Sequence, residues 1–165
     1  MNEMDLIDGL ELEFGVNAEK QRDRRVWLTV EGGALMDVLR YLFDKGLEHL
    51  SAISVTDYPG DGVYELTYHL WSYADNFLVT VKTKTSRDKP AIESATPIWG
   101  ESAQIHEREL HELFGVTFKG NMDLTPLFLE EWDGPPPFRK DFDWRKYVNE
   151  KYYNKENERE KPYSI

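Results

Sequence analysis

The 165 residues are enough for one domain with a sizeable core, and 31 acidic against 20 basic residues give a net charge of −11. This charge argues against a nucleic-acid-binding protein, because phosphate contacts need a basic surface. The sequence contains no cysteine, which excludes disulfides, thiolate catalysis and any iron–sulfur cluster that this chain would hold through cysteine.

Hydropathy indicates no membrane-spanning segment, since no apolar run approaches the roughly 18 residues that such a helix needs. The first ten residues carry acids instead of the basic stretch that opens a secretory signal. We therefore expect a cytoplasmic protein, peripheral to the membrane and linked to it only through partners.

Periodicity along the chain predicts helices and strands in the order helix, strand, helix, three strands, helix, short strand. Residues 17–23 are polar and are predicted to be a loop. The strand run contains hairpin turns, which favours an α+β fold with a mostly antiparallel sheet flanked by helices. The predicted elements are helices over Met4–Phe14, Gly32–Gly46 and His106–Phe114, and strands over Arg24–Val30, Leu47–Tyr58, Val63–Trp71, Phe77–Thr85 and Val116–Phe118.

Asp57 lies at the end of a predicted strand, directly before a turn. Aspartate side chains at such positions commonly accept hydrogen bonds from their own local backbone. We therefore expect a local turn role for this residue.

The last predicted helix combines a narrow apolar stripe with an unusually charged face. Leu110, Leu113 and Phe114 follow helical spacing, and a glycine comes next, as expected for a helix end. A solvated face with weak ion pairs would explain the charges. A zinc hydrolase would need histidines at i and i+4, whereas His106 and His111 are five apart, about 140° around the helix.

Residues 121–165 are predicted to form an extended C-terminal arm and tail, separate from an α+β domain over residues 1–120. The segment Gly134–Pro137 contains three consecutive prolines, which favour an extended backbone. Large aromatic side chains that are costly to expose surround it and indicate a protein contact. They are Phe128, Trp132, Phe138, Phe142 and Trp144.

Two stretches together resemble the signature of one family. The first reads Glu107-Arg108-Glu109-x-x-Glu112-x-Phe114-Gly115-Val116-x-Phe118-x-Gly120. The second is Trp132-x-Gly134 followed by Pro137-Phe138-Arg139-Lys140-Asp141-Phe142. They are similar to the thirty-kilodalton subunit family of respiratory complex I, which includes small subunits of energy-converting hydrogenases. The resemblance extends over about Trp27–Phe142.

The sequence departs from the family pattern at several positions. Glu112 stands where Asp is usual, Asn121-Met122 where His-Pro is usual, and Thr125-Pro126 where basic residues are usual. Phe138 replaces a usual Leu, and Asp143 a usual Pro. These departures favour the branch of archaeal-type membrane-bound hydrogenases and related oxidoreductases over a quinone-module subunit of a true NADH:quinone oxidoreductase.

The resemblance implies a non-catalytic structural subunit of the cytoplasmic hydrophilic arm of a respiratory redox complex. Its partners would be a large catalytic subunit, a small iron–sulfur subunit and ferredoxin-like subunits. Iron–sulfur clusters, with a nickel–iron site in the hydrogenase branch, would lie in those partners, and this chain would hold no cofactor. Fold or interface roles are implied for Glu107, Arg108, Glu109, Glu112, Gly115, Gly120, Asp123, Trp132, Arg139, Lys140 and Asp141.

Two functions of other classes stay open at this point. A stand-alone enzyme would use Glu109 and Glu112 as an acid–base pair or a His–Glu metal site, although no nucleophile or oxyanion site accompanies them. A soluble adaptor would offer the proline-rich segment to small peptide-binding domains.

Overall fold

The computed structural model describes residues 2–153, and these form five α-helices and seven strands. The helices are α1 (Glu3–Phe14), α2 (Leu35–Asp44), α3 (Thr96–Trp99), α4 (Glu101–Phe114) and α5 (Trp144–Lys151). The strands are β1 (Ala18–Arg22), β2 (Arg25–Thr29), β3 (His49–Tyr58), β4 (Val63–Ser72), β5 (Phe77–Ser86), β6 (Ala91–Glu93) and β7 (Thr117–Lys119). A 3₁₀ turn at Gly32–Ala34 precedes α2.

Five strands form one mixed sheet in the order β1-β2-β5-β4-β3. All neighbouring pairs are antiparallel except β2 and β5, which run parallel. Strands β3, β4 and β5 follow one another through short turns. Strand β2 is connected to β3 through α2, and it pairs with β5. Strands β6 and β7 form a separate parallel pair. The predicted α+β class with a mostly antiparallel sheet is confirmed.

The hydrophobic core lies between one face of the sheet and the helices α1, α2 and α4. Alternate strand residues such as Leu66, Leu70 and Val79 are fully buried there. Each such side chain contributes about 1.5–3 kcal/mol when it leaves water. The helices contribute Leu6, Leu10, Leu35, Val38, Leu39, Leu42, Ala103 and Leu110 to the same cluster. Most side chains on the opposite face of the sheet are exposed or half-buried.

The structure differs from the sequence-based prediction in five elements. Residues 18–22 form the edge strand β1, although a loop is predicted there, because only Ala18 turns toward the core and the other side chains are polar and exposed. Helix α4 begins at Glu101 and not at His106. The short helix α3, the short strand β6 and the terminal helix α5 have no counterpart in the prediction. Among residues 2–153, no helix combines the length and the apolar composition that crossing a bilayer requires.

Candidate partner interface on α4 and the C-terminal arm

Helix α4 carries most of the charged signature and ends where the chain turns toward the arm. Leu110 and Leu113 are buried on its inner side. Gly115 caps the helix with a φ of 78°, a left-handed conformation that favours glycine. A Cβ atom at this position would lie 2.9 Å from Cγ of Pro136. Gly115 is therefore required for its conformation and for the close approach of the arm.

Glu107 is fully buried and connects α4 to two other segments. Its carboxylate accepts hydrogen bonds from Oγ of Ser94 at 2.7 Å and from the backbone N–H of Ala95 at 2.6 Å. It also accepts one from Nδ2 of Asn121 at 2.8 Å, at the start of the arm. Burial raises the pKa of Glu107, and the three donors oppose this shift by stabilising the charged form. Glu107 thus holds α4, the segment after β6 and the arm together.

Arg108 and Glu112, one turn apart, bind the backbone of the arm. Arg108 donates to the carbonyl oxygens of Thr125 and Pro126 at 3.0 and 3.1 Å. The Glu112 carboxylate accepts from the consecutive N–H groups of residues 127–129, at 3.1, 3.0 and 2.6 Å. Hydrogen bonds to a charged group are about twice as strong as neutral ones. The two side chains therefore determine the path of the arm over α4.

Asp123 and Gly120 shape the entry into the arm. Asp123 accepts hydrogen bonds from the N–H and the hydroxyl of Thr125 at 3.0 and 2.6 Å, which closes a local turn. Its carboxylate also lies 3.9 Å from the Arg108 guanidinium. Gly120 has a φ of 89°, a second left-handed position at the point where the chain leaves β7.

A cluster of charges fixes the far end of the arm to the sheet. Arg87 forms a two-pronged ion pair with Asp57 at 2.7 and 3.1 Å, and a second one with Asp141 at 2.7 and 3.1 Å. The backbone N–H of Lys140 donates to Asp57 at 2.8 Å, and Arg139 donates to Asp141 at 3.1 Å. The Arg87 guanidinium lowers the pKa of Asp57 and of Asp141. The predicted local turn role of Asp57 is wrong, because its carboxylate instead forms a buried ion pair with Arg87, 30 residues further along the chain.

Aromatic rings cover the space between these polar anchors. The Phe138 ring packs edge-on against Phe114 at 5.7 Å, and its backbone N–H donates to the carbonyl of Leu113 at 2.9 Å. Further along, the ring of Trp132 lies 5.9 Å from Phe142 and 4.9 Å from Tyr147 of α5. A Cβ on Gly134 would meet the rings of Trp132 and Tyr147 at 2.8 and 2.9 Å. Asp133 accepts from Tyr147 and pairs with Lys151, which completes the contact of α5 with the arm.

The outer side of this assembly carries large exposed apolar side chains. Met122 is 95% exposed, Phe128 63% and Trp144 59%. A groove between the end of α4 and the arm is lined mainly by apolar side chains. His111, Glu112 and Gly115 form its α4 side, and Leu124, Pro126, Leu129, Trp132 and Pro136 form its arm side. His111 uses Nδ1 in a 2.8 Å hydrogen bond with the carbonyl of Val116. The arrangement offers a shaped docking surface.

Glu109 differs from its signature neighbours. It is half-buried and forms no hydrogen bond or salt bridge with any residue between 2 and 153. Its supposed acid–base partner Glu112 is occupied by the backbone of the arm. Within residues 2–153, no three His, Asp or Glu side chains are grouped so that they could hold a metal ion.

The structure brings together most of the residues singled out in the sequence. Glu107, Arg108, Glu112, Gly115 and Asp123 lie around the first half of the arm, while Trp132, Arg139, Lys140 and Asp141 lie along its second half. Sequence reasoning missed the anchoring roles of Asp57, Arg87, Ser94 and Asn121. Arg87 is 30 residues from Asp57 and 54 from Asp141 along the chain, so no local pattern could have connected them.

Comparisons with known proteins identify the family of this fold and site. The family model described as the respiratory-chain NADH dehydrogenase, 30 Kd subunit, matches residues 28–148. The C subunit of F(420)H(2) dehydrogenase from Methanosarcina mazei is 35% identical over 123 residues, covering 72% of this chain and 76% of the relative. The C subunit of NADH-quinone oxidoreductase from Erythrobacter litoralis is 34% identical over 86% of this chain, which spans 56% of that relative.

A solved structure gives the same result in three dimensions. A chain of the membrane-bound sulfane sulfur reductase, an archaeal respiratory membrane complex, superposes with a TM-score of 0.82 and 30% identity, covering 92% of this chain and 91% of the other. The charged helix α4 and the Trp132–Phe142 segment both lie inside the matched family range. This chain therefore belongs to the 30-kDa subunit family of respiratory-chain NADH dehydrogenase, which is respiratory complex I.

Proposed function

We propose that this chain is a non-catalytic structural subunit in the cytoplasmic hydrophilic arm of a membrane-bound respiratory redox complex. It would brace the large catalytic subunit there while electrons pass through iron–sulfur clusters held by partner subunits. One observation carries this proposal: charge-assisted bonds from the body of the chain hold the C-terminal arm in one path and leave Met122 and Phe128 in solvent. A surface of this kind is complete only when another protein covers it.

The geometry reduces the ordering cost of such a contact. Ordering a loop or a rotamer-rich side chain at an interface costs about 0.5–1.5 kcal/mol for each immobilised side chain. Glu112 and Arg87 already hold the arm before any partner binds. In this proposal residues 121–165 are the partner-wrapping part, and residues 1–120 are the domain that positions it.

The relatives of this chain belong to several types of respiratory complex. They include an F(420)H(2) dehydrogenase and a membrane-bound sulfane sulfur reductase, together with an NADH-quinone oxidoreductase. We infer a complex I-related oxidoreductase that takes electrons from a donor specific to its branch and couples their transfer to ion translocation. An energy-converting hydrogenase, with nickel–iron in the large subunit, stays a prediction of the sequence departures noted above.

Purification from the native organism tests this function. An affinity-tagged copy of the full chain would be isolated from mildly solubilised membranes, and its partners identified by mass spectrometry. We expect a large redox subunit, a small iron–sulfur subunit and membrane subunits to co-purify, and the nickel content of the large subunit would identify a hydrogenase. Recovery of the chain alone, or with activity or bound metal of its own, would contradict the proposal and support the stand-alone enzyme.

A further inference from the structure

The outer face of the five-stranded sheet carries a continuous row of side chains that the proposed function does not use. The strand register places Arg22 beside Arg25, Arg25 beside Leu78, Leu78 beside Trp71, and Trp71 beside His49. Because directly paired residues point to the same face of a sheet, these five side chains form one row across all five strands. None of the five is fully buried.

The next row on this face extends the apolar surface. Trp27 of β2 pairs with Thr80, Thr80 with His69, and His69 with Ala52. Trp27 is held in place by a hydrogen bond from its Nε1 to Glu19 at 3.2 Å. The two rows therefore form one patch in which indole and imidazole rings stand beside small side chains.

Tyr73, directly after the end of β4, extends this patch with a further exposed aromatic ring. Tyr73 is 74% exposed, and its ring lies 5.3 Å from His49 and 6.3 Å from Trp71. Clustered exposed aromatic side chains are characteristic of the centre of protein interfaces. This cluster is a candidate anchor site for a large apolar side chain of a partner.

The charges of this face are positive on a chain that is acidic as a whole. Arg22, Arg25 and Lys84 form no hydrogen bond or salt bridge within the described residues 2–153. The acids on the face are already engaged, Glu19 with Trp27 and Glu65 with Lys82 at 3.1 Å. A partner with free carboxylates would thus find unpaired cations here.

His69 lies within the same positive field. Its pKa is lowered, first by burial and then by the nearby positive charges of Arg25 and Lys82. The imidazole is therefore neutral at pH 7, because both causes disfavour the cation. It adds a polar but uncharged contact between the apolar rings and the arginine side.

The patch is separate from the interface on α4 and the arm. Within residues 121–153, the part of the arm that the structure describes, the arm contacts the outer face at the other end of β3, where the Lys140 ammonium lies over the Tyr58 ring. His49 and Tyr58 are at opposite ends of that strand, about 30 Å apart at the usual rise per residue. The α4 surface and the sheet patch can therefore be occupied at the same time by different segments.

We propose that these two rows form a second docking surface, which binds a segment of a partner protein that carries Asp or Glu next to a large apolar side chain. The apolar side chain would pack on Leu78, Trp71 and Tyr73, and the carboxylate would pair with Arg25 or Arg22. Such charge complementarity directs association and determines register.

Site-specific photo-crosslinking in the assembled complex tests this surface. The full chain would be produced in its native organism with Tyr73 replaced by the photo-crosslinking amino acid p-benzoylphenylalanine. A second version would carry the same group at Phe128, on the α4 and arm interface. We expect the probe at 73 to give one main adduct, on a partner segment with an acidic residue beside a large apolar one.

Charge reversal provides the decisive comparison. Arg22→Glu together with Arg25→Glu should lower the adduct yield from position 73 about tenfold or more, because the charge pairs become repulsive. The adduct from position 128 should be unchanged. Arg40→Glu, an exposed charge reversal on α2, is the matched control and should change neither.

Three outcomes would overturn this second surface. It is wrong if position 73 gives no adduct above that of a probe at the exposed Leu12 on α1, or an adduct only with another copy of this chain. It is also wrong if the adduct persists after charge reversal. If the probe at 128 gives no adduct in the chain without charge reversal, while the adduct from 73 forms and is lost on charge reversal, the proposed function is contradicted and the sheet surface stands.

Discussion

At the scale of single residues, Glu107 is the signature carboxylate on which the local structure depends most. Replacement by alanine would leave the buried N–H of Ala95 and the donors of Ser94 and Asn121 without their acceptor. Each unsatisfied buried donor costs about 1–3 kcal/mol. We therefore expect Glu107→Ala to lower the free energy of unfolding by about 3 kcal/mol or more in urea denaturation.

Glu109→Ala is the matched control two positions away. Because Glu109 forms no hydrogen bond or salt bridge with the described residues 2–153, its loss should change the free energy of unfolding by about 0.5 kcal/mol or less. Equal effects of the two substitutions would show that the buried network of Glu107 does not stabilise the fold.

The pair of Asp57 and Arg87 predicts a pH dependence with a definite sign. The pKa of Asp57 is lowered in the folded state by the Arg87 guanidinium. Its contribution to stability is therefore fully present above the unfolded pKa of about 4 and is lost as the pH falls through the folded value. Wild-type protein should lose stability below about pH 4, and Asp57→Asn should lose less over the same interval.

At neutral pH the same substitution should be costly. Asp57→Asn removes one of the two carboxylates that bind the largely buried Arg87, while Asp141 remains. We therefore expect a loss of stability below the roughly 3–5 kcal/mol that a fully broken buried ion pair costs. Glu107, whose raised pKa acts in the opposite sense, is intact in both proteins, so the difference between their stability curves isolates Asp57. Parallel curves from pH 7 to pH 3 would contradict the account of this pair.

At the scale of structural elements, the arm is fixed to α4 mainly through Glu112. Glu112→Ala removes the acceptor of three consecutive N–H groups at residues 127–129. We expect amide hydrogen exchange at these residues to accelerate about tenfold or more, with little change in the exchange of β3–β5, because local opening is independent of global unfolding. Glu130→Ala, at an exposed position in the same segment, is the control. Unchanged exchange at 127–129 would mean that other contacts hold the arm.

Elements with strong periodicity were predictable from sequence, and elements defined by distant partners were not. The apolar stripe of α2 and the alternation of β5 are direct consequences of burial on one side. In contrast, β1 lies at a sheet edge where exposed Glu19 and Arg22 leave no alternation to detect. The parallel pairing of β2 with β5 depends on residues about 50 positions apart, for which a single sequence contains no signal.

The residues of the candidate interface also divide into those that a local motif identifies and those that depend on distant partners. Motif resemblance identifies Glu107, Glu112 and Asp141 but assigns them only general fold or interface roles. The structure shows that each binds this chain's own segments, while the neighbouring Glu109 forms no hydrogen bond or salt bridge within residues 2–153. Arg87, which joins Asp57 to Asp141, gave no signal because it precedes a loop and its two acidic partners are far away in the sequence.

At the scale of the whole molecule, Arg139 tests whether the end of the arm also contacts a partner. Its guanidinium is partly exposed and donates to Asp141. Asp141 also pairs with Arg87, and Arg87 pairs with Asp57, so the end of the arm stays attached to the sheet without Arg139. Arg139→Ala should therefore release the chain from its complex, measured as loss of co-purifying subunits, without unfolding the isolated chain in a thermal melt. Normal assembly of this variant would contradict an interface role for Arg139.

The most direct measurement of the central claim combines a stability assay with the native purification. Met122→Ser with Phe128→Ser removes the two most exposed apolar side chains of residues 121–142, and Leu12→Ser on α1 is a control of similar exposure. We predict that the double variant melts at the wild-type temperature but loses most of the large catalytic subunit in a tagged purification, whereas Leu12→Ser retains it. A double variant that recovers the large subunit in wild-type amounts would contradict the claim that this chain braces its partner through the exposed side of the arm.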